Sequence, residues 1–409
     1  MPPRAGRAAR LHADTRNARN ARNTGDEVTS RLASLLAYCE RERDWAVDAT
    51  EALVRLESPT PDKAAVDRCA DELARRLAAI GGRVQRLPRA EAGDHVLAEF
   101  GCGPRQVLML GHLDTVWGIG TLARMPLRHE AGRLFGPGVF DMKAGLAIGM
   151  LALRALGETC PAWPGRITFL VTSDEETGSA SSRSVIEDEA LRSEAVLVLE
   201  PSLPGGALKT SRKGCGEFVV RVDGVPAHAG IAPESGASAI HELARQVIAI
   251  EGVQDAARGT TLNVGVISGG TRTNVIAAAA RAVVDARVAT MAEAARVASA
   301  MASLRPHDPR TRLTITGGVD RPPMERTPGV VGLLRHAQAV AAALGVDLGE
   351  GATGGGSDGN LTAALGVPTL DGLGAVGGGA HADDEHVSVA DIPWRAALLA
   401  GLLQRILAG

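Results

Sequence analysis

The chain has 409 residues, 45% of them hydrophobic and 22% charged, a balance that excludes wholesale disorder and makes two domains the natural expectation. A formal net charge of −3 gives no overall field for nucleic acid, and no stretch reaches the roughly 18 apolar residues that a membrane helix needs. The five cysteines are scattered and odd in number, which implies neither a disulfide framework nor a zinc knuckle and favours the reducing cytoplasm.

Residues 1–27 are rich in Arg, Ala and Asn and lack the apolar run of a secretory signal, so they read as a disordered basic tail or an over-extended start. Helical apolar spacing then predicts a helix over 28–54 and another over 63–80. Short apolar strands follow, in HVLAEF, RQVLMLGHLD, RITFLVTSDEE and AVLVLEPS, with a helix over 143–156 among them. Near-continuous apolar strands between helices predict a mixed or parallel sheet covered on both faces. Between 214 and 321 the order becomes strand, helix, strand, strand, helix, strand, that of a ferredoxin-like split βαβ unit. Alternation then resumes with a helix over 329–344, the Gly-rich GATGGGSDGN and a final helix ending at Leu407. The expected fold class is therefore α/β, with a small α+β domain (214–321) inserted into a larger one (28–213 and 322–409). The Gly-rich run lacks the Gly-Lys-Ser/Thr ending of a phosphate loop, and its glycines read as places of close backbone approach.

Three apolar strands run straight into acids or imidazoles: VLML into His112 and Asp114, ITFLVTS into Asp174, Glu175 and Glu176, and AVLVL into Glu200. Asp141 opens a helix after the loop GPGVF. In open α/β sheets function gathers at the carboxyl ends of strands, where these groups fall. Alone, each acid could cap a helix or brace a turn. Together they repel one another unless cations neutralise them, and a His/Asp/Glu mixture suits zinc or a similar ion. Two metals roughly 3.5–4 Å apart need a bridge, which one Asp can supply with both oxygens.

The motifs GHLDTVW, GPGVFDMKAGLA, TSDEETGS, LEPS, GGGSDGN and GGGAHADDEHV, in that order over residues 107–387, resemble the dinuclear zinc metallopeptidase family of carboxypeptidase G, acetylornithine deacetylase and aminoacylase. The first two look most like its bacterial glutamate carboxypeptidase branch. The resemblance implies a mixed-sheet, zinc-exopeptidase-like catalytic domain with a lid and dimerisation domain inserted. It implies two Zn2+ per subunit, with Co2+ or Mn2+ able to substitute. His112 and Glu200 would then be terminal ligands of one ion, Glu176 and His381 those of the other, and Asp141 the bridge. His386 lies five residues beyond His381, but the family pattern puts the ligand before a polar, acidic run and an apolar strand, which selects His381. Glu175 resembles the general base, and Asp114 the carboxylate that takes the free N–H of His112 and fixes its tautomer.

In the smaller unit, His228 resembles a residue that reaches the neighbouring subunit's site and polarises the scissile carbonyl. Asn274 and Arg287 resemble lid residues that hold the substrate's carboxylate, and Arg321, at the return to the large domain, could join them. Taken singly, each could equally be an ordinary surface arginine or a capping residue; for His228, Asn274 and Arg287 the surrounding motifs outweigh that. The stretch Lys209-Thr210-Ser211-Arg212-Lys213 departs from the glutamate-specific branch. Its charge serves a second substrate carboxylate or merely solvates the hinge. The expectation is a cytoplasmic homodimeric hydrolase that releases a glutamate-like C-terminal residue from a small peptide or N-acyl amino acid, with an N-acyl-amino-acid deacylase as the alternative and no nucleic-acid or membrane partner.

Overall fold

The computed structural model describes residues 29–160 and 165–408. The basic N-terminal tail lies outside them. The helix expected over 28–54 is two helices, 29–41 and Arg43–Arg55, separated by a turn at Glu42. The next, Lys63–Ala79, is capped by Asp62, whose side chain accepts from the Ala65 N–H at 3.0 Å.

Strands β1 (Arg83–Leu87), β2 (His95–Gly101) and β3 (Gln106–His112) lead into the main sheet. Two three-residue strands, β4 (Arg128–Glu130) and β5 (Arg133–Phe135), precede β6 (Arg166–Thr172) and β7 (Ala195–Val198). The main sheet also takes in β14 (Thr369–Leu370), in the order β1-β2-β6-β3-β7-β14. Its β6, β3, β7 and β14 neighbours are parallel, while β2 runs antiparallel to both β1 and β6, so the sheet is mixed. Both faces are covered. Val107 and Met109 of β3 join the larger core with helices Arg43–Arg55, Ala144–Thr159 and Ile392–Ala408. Leu108 and Leu110, on the opposite face, meet Ile186, Ala190 and Leu361. This alternation is the two-residue period of a strand buried on both sides. It explains why β3 reads as a continuous apolar run.

A second four-stranded sheet is antiparallel throughout, in the order β10-β11-β9-β12, with β9 (Gly214–Asp223), β10 (Thr261–Gly269), β11 (Ala279–Val288) and β12 (Arg312–Arg321). Helices Ala239–Glu251 and Met291–Ser303 supply Leu243, Ile250, Val297 and Met301 to a separate core with Val220, Val222, Ala282 and Val284. This is the split βαβ order read from the sequence.

Two short pairings bind the remaining loops to the sheet ends. Strand β8 (Leu208–Arg212) pairs in parallel with β13 (Glu350–Thr353), docking the Lys/Arg segment beside the Gly-rich run. Strands β15 (Gly377–Gly378) and β16 (His386–Ser388) extend β5 and β4 into a small sheet that the sequence pattern did not announce. Strands of two or three residues are too short to show a period.

Candidate metal centre and active site

The candidate residues converge on the carboxyl ends of β3, β6 and β7. His112 is the last residue of β3; Glu175 and Glu176 form a short turn after β6; Glu200 lies just beyond β7. Asp141 sits in the irregular turn that leads into helix Ala144–Thr159. The fully buried Lys143 anchors this turn by donating to the Leu53 and Leu56 carbonyls at 2.9 and 3.0 Å, at the end of helix Arg43–Arg55. His381 lies in the loop between β15 and β16, with a left-handed backbone (φ 61°) that non-glycine residues adopt at some cost.

Two three-residue sets form, each with its donor atoms within 4.8 Å of one another: His112, Asp141 and Glu200, and Asp141, Glu176 and His381. Asp141 belongs to both. Its Oδ1 stands 3.2 Å from His112 Nε2, and its Oδ2 stands 3.4 Å from His381 Nε2. Glu200 Oε1 is 3.4 Å from His112 Nε2, and Glu176 Oε2 is 3.5 Å from His381 Nε2. His386 is elsewhere, its Nδ1 at 2.8 Å from the Asp384 carbonyl and its ring against Phe135.

The electrostatics favour positive charge at the site. Burial alone would strip His112 of its proton, but the carboxylates of Asp114, Asp141 and Glu200 outweigh it and raise its pKa well above the usual range. Hydrogen bonds to Asp141 and Glu176 push His381 up to about 10. Burial also works against ionisation of Asp141, yet the two imidazoles hold its carboxyl far below its ordinary value. The cluster thus draws in positive charge wherever it can. Glu176 Oε1 is buried with no hydrogen-bond partner, the condition of an oxygen left for a cation. Two imidazole nitrogens and three carboxylates in shared triads fit divalent ions of the zinc kind.

Glu175 is in neither set. Its Oε1 pairs with Arg321 Nη1, and burial pushes its carboxyl up to about 8 despite the pull of Arg321. Arg321 also donates to Ser179 Oγ at 2.8 Å and lies 3.8 Å from Asp358. It was expected among the substrate-binding groups, and here it is engaged with the candidate base. The Gly-rich run makes room for it: a Cβ on Gly356 would stand 2.9 Å from Arg321 Cδ.

Asp114 is fully buried beside His112, but its backbone carbonyl, at 3.0 Å, is nearer to Nδ1 than its Oδ1, at 3.5 Å. Its carboxylate instead accepts from Thr60 Oγ1 at 2.8 Å and from the Glu175 and Glu176 N–H groups at 3.3 and 3.2 Å. Asp114 therefore braces the turn that carries those two acids as well as the imidazole.

A cleft of about 370 Å³ joins Asp141, Glu175, Glu176, Glu200 and His381 to Arg287 and Arg321. Arg287 is held by Asp285, with its Nε 3.0 Å from Oδ2. His228 and Asn274 are exposed residues of two neighbouring loops beyond the strand ends of the second sheet, where the Ala229 N–H donates to the Asn274 carbonyl at 3.0 Å. They are not among the residues lining this cleft.

Two groups escaped the sequence reading. Arg212, left open there, is buried behind Glu200: Nη2 donates to Glu200 Oε2 and Asp371 Oδ1, both at 3.0 Å, and Nε to Asp371 Oδ2 at 2.7 Å. Lys209 is buried too, so neither residue solvates a hinge. Glu385, inside the polar run HADDEHV, turns inward and is fully buried.

The profile of peptidase family M20/M25/M40 matches residues 108–405. Carboxypeptidase G2 of Pseudomonas sp. (strain RS-16) is 32% identical over 381 residues, covering 90% of this chain and 91% of that protein. A succinyl-diaminopimelate desuccinylase of Thioalkalivibrio sulfidiphilus (strain HL-EbGR7) is 27% identical over 386 residues, covering 88% and 98%. The solved structure of aminopeptidase PepT from Bacillus cereus ATCC 10987 shares the fold with a TM-score of 0.75 at 22% identity, covering 90% of this chain and 99% of that one. With its carboxylate and imidazole centre at the strand ends, the chain belongs to peptidase family M20/M25/M40 and is a metal-dependent hydrolase of peptide or amide bonds.

Proposed function

We propose that this enzyme releases a glutamate-like C-terminal residue from a small peptide or N-acyl amino acid at a centre of two zinc ions. The observation that carries the reading is the pair of triads sharing Asp141, with Glu175 beside them and outside both. His112 and Glu200 would hold one ion, Glu176 and His381 the other, and Asp141 both. Ions bound there would lower the pKa of a water and polarise the scissile carbonyl. Glu175 takes the proton of the attacking water and returns it to the leaving amine nitrogen. Arg287, in the lining of the cleft, receives the substrate's carboxylate, and Asn274, outside its own chain's lining, would be a second donor in the partner's cleft. The named activity of the 32% identical relative supports the carboxypeptidase choice.

In this reading residues 28–213 and 322–409 form the catalytic domain, 214–321 the lid and dimerisation domain, and the protein works in the cytoplasm. Among the described residues no helix is long and apolar enough to cross a membrane. A homodimer is supported by β10, an edge strand with Val266 and Ile267 exposed, and by the neighbouring helix with Ile248 exposed. An apolar edge of this kind invites a partner strand.

Because His228 and Asn274 stand outside their own chain's cleft, they would serve the partner's. Mixing Glu175→Gln chains with His228→Ala chains, each nearly inactive alone, should then restore about a quarter of wild-type activity, as random pairing makes one competent site in half the dimers. No recovery in mixtures shown to exchange subunits would place His228 outside the partner's reaction.

A second reading, an N-acyl-amino-acid deacylase, is favoured by the desuccinylase relative. A panel of N-acyl-glutamates, dipeptides, N-acetyl and N-succinyl amino acids decides between them. Free glutamate from the acyl-glutamates is the expected result. Cleavage of only the acetyl or succinyl substrates would replace the carboxypeptidase reading with the deacylase one.

A further inference from the structure

Glu385 has no place in the chemistry just described, yet both of its carboxylate oxygens are fully engaged. It is fully buried. Its Oε1 accepts from the backbone N–H groups of Phe140 and Asp141 at 2.9 and 3.0 Å. Its Oε2 accepts from the Gly138 N–H at 2.9 Å and from Trp117 Nε1 at 2.7 Å. Its own backbone adds to this: the carbonyl accepts from the Gly136 N–H at 3.2 Å, tying the same two segments, and the N–H donates within its own loop to the Ala382 carbonyl at 3.0 Å.

The three N–H groups at 138, 140 and 141 converge because the turn starts from a left-handed glycine (Gly138, φ 70°) and cannot satisfy them internally. Such a concavity of amides favours an anion, and the chain supplies one from its own loop. That loop carries His381 at its start, four residues before Glu385, and the turn carries Asp141 at its end.

We infer that Glu385 is a positioning residue that sets the placement of Asp141 relative to His381 and thereby selects for occupancy of the Asp141–Glu176–His381 set. This inference rests on the two-ion reading. In that set two of the three ligands hang on segments that Glu385 clamps; in the His112–Asp141–Glu200 set only one does. Losing the clamp should therefore weaken the two ions unequally. Partners of this kind behind metal ligands typically govern about 10–100-fold in affinity.

The chemistry of the clamp makes Gln a severe replacement. Each carboxylate oxygen faces two donors, so an amide NH2 in place of one oxygen sets donor against donors. Glu385→Gln should behave like Glu385→Ala, whereas Glu385→Asp, with acceptors at both positions, should recover part of the effect. Trp117→Phe removes one donor and leaves the carboxylate in place, so it tests the clamp in a chain that keeps its buried anion.

The experiment is titration of the metal-free full-length protein with Co2+ alone, followed by visible absorption, together with the thermal midpoint of the metal-free forms. Wild type should take up two ions. Glu385→Gln should bind one of them about 10–100-fold more weakly while the other changes much less. Trp117→Phe should shift the same ion in the same direction by a smaller factor. Two ions bound by Glu385→Gln with wild-type affinities, or both weakened by the same factor in Glu385→Gln and Trp117→Phe alike, would overturn the inference and leave the two-ion reading intact. A single ion in the wild type would remove the two-ion reading, and this inference with it.

Discussion

Glu175→Gln is expected to keep its full metal content and to lose on the order of 10²–10⁴-fold in kcat, the usual contribution of a positioned acid–base group. Three features converge on this carboxylate. It lines the cleft with Asp141, Glu176, Glu200 and His381 but belongs to neither ligand set, so its removal takes nothing from the ions. Burial holds its pKa up to about 8, against the pull of Arg321, which leaves it able both to accept a proton and to give it up near neutrality. Its turn is pinned by the Asp114 carboxylate, which accepts from the N–H groups of both Glu175 and Glu176. Gln matches Glu in shape and can still accept from Arg321, but it cannot carry the proton. Steady-state kinetics with elemental analysis of the same preparation makes the measurement. Full activity in a correctly metallated variant would take the base away from Glu175.

Much of this site was legible because its ligands sit where apolar strands stop. A buried parallel strand is a short apolar run, and the acids or imidazoles that follow it mark the functional edge of the sheet; His112 and Glu200 came directly after their strands, and Glu176 is the third acid of the run Asp174-Glu175-Glu176 after β6. Asp141 and His381 lie on loops; Asp141 was visible as the acid that opens the helix after GPGVF, whereas His381 came from motif resemblance alone. What stayed hidden depended on direction. Glu385 stands among Asp383, Asp384 and His386, and nothing in the sequence HADDEHV says which acid turns inward. Four donors spread from Trp117 to Asp141 decide it, and they meet only in the folded chain. Arg321 illustrates the same limit: its residue type suits a substrate carboxylate, while the fold sets it against Glu175 and Ser179. The break at Glu42 was equally invisible, since the apolar spacing carries on across it.

Replacing Arg212 should cost more stability than any surface arginine. Its guanidinium is buried and its donors are engaged: the Asp371 carboxylate takes Nε and Nη2, Glu200 takes Nη2, and Nη1 donates to the Gly355 and Gly356 carbonyls at 3.2 and 3.0 Å. Burial alone would release its proton, but Asp371 and Glu200 outweigh it and hold the charge more firmly than in water. Arg212→Met keeps much of the volume and leaves Asp371, fully buried, without its cation. Removing one partner of a buried ion pair costs about 3–5 kcal/mol, because the other charge stays behind unpaired. Lys is no remedy, since one ammonium cannot span Asp371, Glu200 and two carbonyls at once. Divalent metal should soften the loss, as an ion on Glu200 compensates one of the two stranded carboxylates while Asp371 remains exposed to the full penalty. Urea unfolding of metal-free and metal-loaded forms checks both parts, and adding Asp371→Asn should recover a portion of the loss that the single changes do not predict by addition. If Arg212→Met unfolded within about 0.5 kcal/mol of wild type, in the range of an ordinary surface substitution, the guanidinium would not be what holds Glu200 and the Gly-rich run together.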